Sequence, residues 1–181
     1  MKSNTYKTLF RSTPKKYADI DAALSEIIRR NHDPLKWIVD IIDHDAFAVR
    51  LLKKLIDKRF DLHAINECLC WASANGHIDT VKLLLKKGAN VHAKNEYSLR
   101  MGSRNGHYEV VKLLLAWGAN IRALDEEDAR IISLASANCQ FEVVKTLLGH
   151  DANFNSTEEY ALGRAKEKAY FDILELFKRY S

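Results

Sequence analysis

The amino-acid sequence predicts an all-α fold, a solenoid built from stacked helix-turn-helix units. The stretch GHIDTVKLLLKKGAN at 76–90 returns 30 residues later, at 106–120, with ten of its fifteen positions identical. A weaker copy occupies 139–153, and a fourth begins at Ala169. Repetition at a fixed period of this length is typical of solenoids, in which each unit buries its apolar face against its neighbours.

Apolar periodicity and turn residues divide each copy into an inner and an outer helix. Inner helices are predicted near 67–75, 97–105, 129–138 and 159–168, and outer helices near 78–87, 108–117, 141–149 and 170–180. Gly76 and Gly106 lie between paired helices, where one residue must adopt a left-handed backbone that glycine tolerates without a Cβ clash. Cys139 stands at this position in the third copy.

The N-terminal third carries weaker signals. Thr13-Pro14 and Asp33-Pro34 each predict a helix start, with an N-cap residue followed by proline. We expect an N-terminal tail and capping helix over 1–33 and a degenerate first repeat over 34–63, because 59–63 align with 88–92. The other repeats are placed at 64–93, 94–126 and 127–156, followed by a C-terminal cap at 157–181.

Composition and charge bound the functional class. No apolar run approaches the length that crosses a bilayer, so we expect no membrane span. Three cysteines, an odd number, argue against a disulfide framework and favour a reducing compartment, the cytoplasm. Residues 1–60 carry 13 Lys/Arg against 8 Asp/Glu, whereas 61–181 carry 15 against 16. The basic third is either a solvated surface or a contact for an acidic partner or a nucleic acid, and we favour the solvated surface.

The repeat also carries a family resemblance. The pattern is Leu69-x-x-Ala72-Ser73-x-Asn75-Gly76-His77-x-Asp79-x-Val81-x-Leu83-Leu84-Leu85-x-x-Gly88-Ala89-Asn90-Val91, and it recurs from Leu99. This pattern resembles the ankyrin repeat, well over 64–181 and weakly over 34–63. The Asn-Gly-His turns and the 30-residue spacing also resemble ankyrin arrays abundant in large DNA viruses that infect amoebae.

Two departures from the ankyrin pattern are informative. The family opens its inner helix with Thr-Pro-Leu-His, whereas Glu67-Cys68-Leu69-Cys70 and Tyr97-Ser98-Leu99-Arg100 stand in those places here. The usual family repeat is also three residues longer than the 30-residue spacing here. We therefore expect the connecting hairpin to shrink to a short loop at Lys94-Asn95-Glu96.

No catalytic or cofactor motif is present in the sequence. It has no Gly-rich phosphate loop, no Gly-x-Ser-x-Gly and no His-Glu-x-x-His. Cys68 and Cys70 are two residues apart on a helix and therefore point in roughly opposite directions, which disfavours a shared metal. The acidic run 125–128 is better explained as a solvated loop with an N-cap than as a cation site. We expect no enzyme activity, no cofactor and no metal.

The resemblance implies a protein-binding function, since partners of ankyrin proteins usually dock on the concave face made by inner helices and loop tips. We name this surface the inner-helix face. It comprises Trp71, Asn75, Met101, Arg104, Asn105 and Leu134, with Lys94, Glu96, Asp125, Glu126 and Glu127 at the loop tips. Trp71, Met101 and Leu134 occupy one equivalent position, either as an interface row or as core between inner helices. We expect a monomer that binds a partner protein and, if the chain is viral, acts in the host cytoplasm.

Overall fold

The computed structural model describes residue 53 and residues 62–122, 131–150 and 159–180. The predicted capping helix at 1–33, nearly all of the degenerate repeat at 34–63, and the acidic run at 125–128 lie outside these residues. The chain divides into two compact units, Met1–Cys68 and Leu69–Ser181. In the first unit the description covers only Lys53, which is exposed, and the start of a helix at Leu62.

The regular structure of the described residues is entirely helical. The helices are α1 (Leu62–Ala74), α2 (Ile78–Lys86), α3 (Ala93–Asn105), α4 (Tyr108–Ala116), α5 (Ile131–Ala137), α6 (Phe141–His150), α7 (Glu159–Glu167) and α8 (Phe171–Tyr180). The inner helices α3, α5 and α7 pack on one another, and the outer helices α2, α4, α6 and α8 form a second row. Each inner helix from α3 onward also packs against the outer helix that follows it.

One large apolar side chain of each outer helix forms the centre of the core. Leu84 and Leu114, at the same position of neighbouring repeats, are both completely buried. Leu147 is likewise 0 % exposed, and Phe177 takes the position in α8 at 2 %. Each such leucine contributes about 2–5 kcal/mol relative to alanine.

The first turn of each outer helix carries a carboxylate, which meets the positive helix end: Asp79, Glu109, Glu142 and Asp172.

Every described inner helix ends in the same hydrogen-bonded turn. After α3, the His107 amide donates to Gly102 O (2.9 Å) and the Gly106 amide to Ser103 O (3.3 Å), with Gly106 left-handed at φ 80°. These two bonds define a Schellman motif. The other inner helices repeat it with a left-handed residue at Gly76, Cys139 and Ala169. The left-handed backbone predicted for Cys139 is confirmed at φ 57°.

A carbonyl at the end of α1, α3 and α5 is capped by the following repeat. Ala74 O accepts hydrogen bonds from Asn105 Nδ2 (2.7 Å) and His107 Nε2 (2.9 Å). The corresponding carbonyl of Arg104 accepts from Gln140 Nε2 (3.4 Å), and that of Ala137 accepts from Lys168 Nζ (2.8 Å). Because helix-terminal carbonyls lack partners within their own helix, these bonds satisfy them and fix the register between repeats.

Two helix starts differ from the sequence prediction. Helix α1 begins at Leu62 rather than near 67, and His63 Nε2 lies 3.8 Å from Glu67 Oε1 one turn later. Leu62 and His63 are thus helical, whereas the aligned Val91 and His92 lie in a turn. In α3, helical hydrogen bonding begins at Ala93, but Lys94, Asn95 and Glu96 have left-handed backbones, with φ between 52° and 59°. The short loop predicted at 94–96 is therefore confirmed as a left-handed turn.

One position of α8 is charged where the other outer helices have a buried leucine. Lys178 is exposed at the position that Leu85, Leu115 and Leu148 occupy in buried form in the preceding repeats. Its Nζ donates to Glu175 Oε1 at 2.8 Å, and this contact lowers the pKa of the Glu175 carboxyl. This position of α8 is therefore solvated rather than packed.

Candidate functional site

The predicted row of the inner-helix face is partly buried in all three repeats. Trp71, Met101 and Leu134 each retain some exposed surface, whereas Leu69 and Leu99, on the same helices, are completely buried. The Trp71 ring stacks on the imidazole of His77, with ring centroids 5.9 Å apart and planes at 28°. The row therefore packs on one side and is accessible on the other, which combines the two interpretations left open by the sequence.

The fourth member of the row is charged. Arg164 follows Leu134 at the equivalent position of α7, is half-buried, and forms an ion pair with Glu167 (3.0 Å). The apolar part of the row thus ends at Leu134 and is continued by a guanidinium that already has a carboxylate partner.

Asparagines flank this row, and their amide nitrogens are held by the backbone. Asn75 Nδ2 donates to Trp71 O (2.9 Å), and Asn138 Nδ2 donates to Leu134 O (2.8 Å). Asn105 Nδ2 instead crosses to Ala74 O of the preceding repeat. All three asparagines are exposed, so the face presents polar groups in fixed positions beside the apolar row.

The loop tip at 94–96 differs from the prediction at one residue. Lys94 is exposed as predicted, but Glu96 is only 3 % exposed. The left-handed turn directs its carboxylate inward, where Oε1 lies 2.5 Å from His92 Nδ1. The predicted position of Glu96 at an exposed loop tip is therefore wrong. Asp125, Glu126 and Glu127 lie outside the described residues.

Sequence reasoning missed one residue beside the row. Arg100 is buried, and its guanidinium carbon lies 5.6 Å from the centroid of the Tyr97 ring. Arg104, which was predicted, is exposed one turn further along α3. The signal for Arg100 was available in the repeat alignment, because Cys70 and Ser133 occupy its position in the neighbouring repeats and are small.

The described residues were compared with the requirements of a metal site and of a membrane span. Within them, no three His, Cys, Asp or Glu side chains come together as a metal site, and none of their helices is long and apolar enough to span a membrane. Cys68 and Cys70 are buried, and Ser98 Oγ contacts Cys70 Sγ at 3.8 Å.

Comparison with known families identifies the repeat. Residues 43–125 match the family model for ankyrin repeats, in three copies. This part of the chain is similar to ankyrin repeats. Together with the helix pairs described above, this match confirms the predicted all-α ankyrin-repeat solenoid. Ankyrin repeats are generally protein–protein interaction modules, and proteins built from them are typically not enzymes. A search of curated proteins finds no match to this chain.

Proposed function

We propose that this ankyrin-repeat chain binds a partner protein on the inner-helix face, with Trp71, Met101 and Leu134 at the centre of the contact. The observation that supports this best is the partial burial of one apolar side chain per repeat in register along the face. Tryptophan, methionine and arginine are enriched at the centres of protein interfaces, and a few such side chains usually provide most of the binding energy. Arg104 stands beside this row.

The outer helices offer a different kind of surface. Their exposed positions carry a lysine in three successive repeats, Lys82, Lys112 and Lys145, one turn after an acidic residue. Lys82 Nζ lies 3.9 Å from Asp79 Oδ1, a solvent-exposed pair. Exposed pairs of this kind contribute little to stability or affinity, so the outer face is better suited to solubility than to partner binding.

The test compares Trp71→Ala with Trp117→Ala, a matched control. Trp117 ends α4 on the outer-helix side and is 46 % exposed, so both variants delete an indole, but only one deletes it from the inner-helix face. In affinity purification with the chain as bait, we expect Trp71→Ala and Met101→Ala to weaken partner capture, by about 2 kcal/mol for Trp71 if it is a buried anchor. Trp117→Ala should retain the partner.

Stability must be measured on the same variants. If Trp71→Ala lowers the melting temperature by as much as it weakens binding, the indole supports the fold rather than the contact. Loss of capture with Trp117→Ala while Trp71→Ala keeps it would move the site to the outer face and contradict the proposal.

We further propose that the chain acts as a monomer in the cytoplasm, in the host cell if its source is a virus. A viral source is supported by the Asn-Gly-His turns and the 30-residue spacing of the repeats. A reducing compartment is supported by the three cysteines, an odd number. Light scattering of the purified chain and imaging of a tagged copy in infected cells test these points. A stable dimer, or a secreted product, would contradict them.

A further inference from the structure

The second described repeat contains an arginine where its neighbours have small residues. Arg100 is 5 % exposed. The equivalent positions hold Cys70 and Ser133, both 4 % exposed, and Gly163 in α7. In three repeats this position holds a small side chain or only a hydrogen atom. In the repeat of α3 the same position holds a charged guanidinium.

No carboxylate of the described residues forms an ion pair with this guanidinium. Arg100 Nε is buried and has no hydrogen-bond partner there, and no carboxylate of the described residues lies within 4.0 Å. The nearest acidic residue in sequence, Glu96, is turned toward His92 by the left-handed backbone at 94–96. The Tyr97 ring centroid lies 5.6 Å from the guanidinium carbon, but a neutral ring does not balance the charge. Since an arginine remains charged in proteins, its burial here leaves a strong demand for an anion.

A second guanidinium lies one turn away on the same side of α3. Arg104 is four residues after Arg100, a spacing that places side chains over one another on a helix. It is exposed, and it forms no ion pair with any described residue. Arg164, by contrast, already pairs with Glu167 at 3.0 Å. Two arginines of α3 therefore have no carboxylate partner among the described residues: Arg104, exposed on the inner-helix face, and Arg100, which is buried directly before Met101 of the apolar row.

Building on the proposed function, we propose that the partner is a protein whose contact segment presents an Asp or Glu carboxylate to Arg100 and Arg104 and an apolar side chain to Met101 and Trp71. The planar arginine fork matches a carboxylate through two parallel hydrogen bonds. Burial of the Arg100 side chain restricts it before binding, so less conformational freedom is lost when the partner arrives.

The charge balance favours an acidic protein segment over a nucleic acid. A polyanion is held mainly by many lysines and arginines along its phosphate backbone. Residues 61–181, which include the whole face, carry 15 Lys/Arg against 16 Asp/Glu. Two guanidiniums within one helical turn suit a single carboxylate or a short acidic segment.

The experiment is a selection of displayed random peptides against the full chain, followed by affinity measurement. We expect selected peptides to contain Asp or Glu next to an apolar residue. Replacing that Asp or Glu by Asn or Gln should weaken binding about tenfold to a hundredfold, the effect of losing a charged hydrogen bond. Arg104→Met and Arg100→Lys should each weaken it to a similar degree, whereas Lys82→Met, which removes a charge from the outer face, should not.

The outcomes separate this inference from the proposed function. Peptides that depend on Trp71 and Met101 but not on a carboxylate, Arg100 or Arg104 would overturn the acidic partner alone. Peptides that depend on none of these four residues would overturn the inner-helix site as well. If Arg100 variants unfold, Arg104→Met and the peptide substitutions still decide the question. Tight binding of a single-stranded RNA oligonucleotide that requires both arginines and falls steeply with salt would replace the acidic protein by a nucleic acid.

Discussion

Gly76 tests whether neighbouring repeats are coupled through their turns. Its backbone is left-handed, at φ 76°, and a Cβ added there would lie 2.6 Å from Nδ1 of His107 in the next repeat. The same imidazole donates from Nε2 to Ala74 O, which requires the proton on Nε2 because a carbonyl only accepts. An alanine at 76 must therefore displace the ring that caps the preceding inner helix.

Gly88 provides the matched control. It too is left-handed, at φ 90°, but a Cβ there would meet nothing within 4 Å. Both Gly→Ala changes force a side chain into the left-handed region, at about 1–2 kcal/mol each. Gly76→Ala additionally disturbs the His107 hydrogen bond, a loss of about 0.5–1.5 kcal/mol. We expect Gly76→Ala to destabilise by about 2–3 kcal/mol and Gly88→Ala by about 1–2 kcal/mol.

Urea unfolding followed by circular dichroism measures both changes, and a double-mutant cycle identifies their cause. In a His107→Ala background the steric conflict at residue 76 is gone, so Gly76→Ala should then cost no more than Gly88→Ala. The slope of each transition must be compared as well, because partial unfolding of flanking repeats would lower it. Equal losses for the two glycines, or no rescue by His107→Ala, would refute the coupling.

Three further predictions concern single positions. Cys139→Gly should stabilise by about 0.5–1 kcal/mol, because it relieves a left-handed non-glycine residue, and a lower melting temperature would contradict this. Leu84→Ala and Leu114→Ala should each destabilise by about 2–5 kcal/mol in denaturant titrations, and a loss under about 1 kcal/mol at either would contradict the core assignment. Lys178→Met should return the lowered pKa of Glu175 toward its ordinary value in an NMR titration. The stabilisation from this exposed pair is present at neutral pH and is lost as the pH falls through the lowered pKa, and it should be small because solvent screens the charges.

The repeat register and the turns could be predicted because the sequence repeats their requirements. A Schellman turn needs one left-handed residue, and glycine marks it at two of the four positions. Alignment of the repeats then predicted Cys139 as the third left-handed residue, although cysteine rarely adopts this backbone. The φ of 57° at Cys139 confirms the prediction. Leu84 and Leu114 followed from the same alignment, since identical positions in stacked units meet identical surroundings.

Side-chain directions near the loop tip could not be predicted from the period. Glu96 is polar and lies in a connecting segment, which favours exposure, yet three consecutive left-handed residues turn it inward toward His92. The direction of a side chain depends on the backbone dihedrals beneath it, and the left-handed turn replaces a longer hairpin of the family. The start of α1 at Leu62 was missed for a related reason. Leu62 and His63 align with Val91 and His92, which lie in the turn before 94–96, so the alignment predicted a turn where the helix already begins.

The hydrogen bonds between repeats also bear on binding. Asn105 and His107 both donate to Ala74 O, so the end of α1 is fixed to α3 beside the row of Trp71 and Met101. Contacts on a surface that is already ordered lose less entropy on association than contacts on a mobile one. Variants that break these bonds without touching the row should therefore weaken partner binding while leaving the side chains of Trp71, Met101 and Leu134 in place. Asn105→Ala is the sharpest example, because its side chain is exposed and its loss creates no cavity in the core. If its effect on affinity equals that of deleting a direct contact yet Trp71→Ala has none, the asparagine itself touches the partner and the apolar row does not.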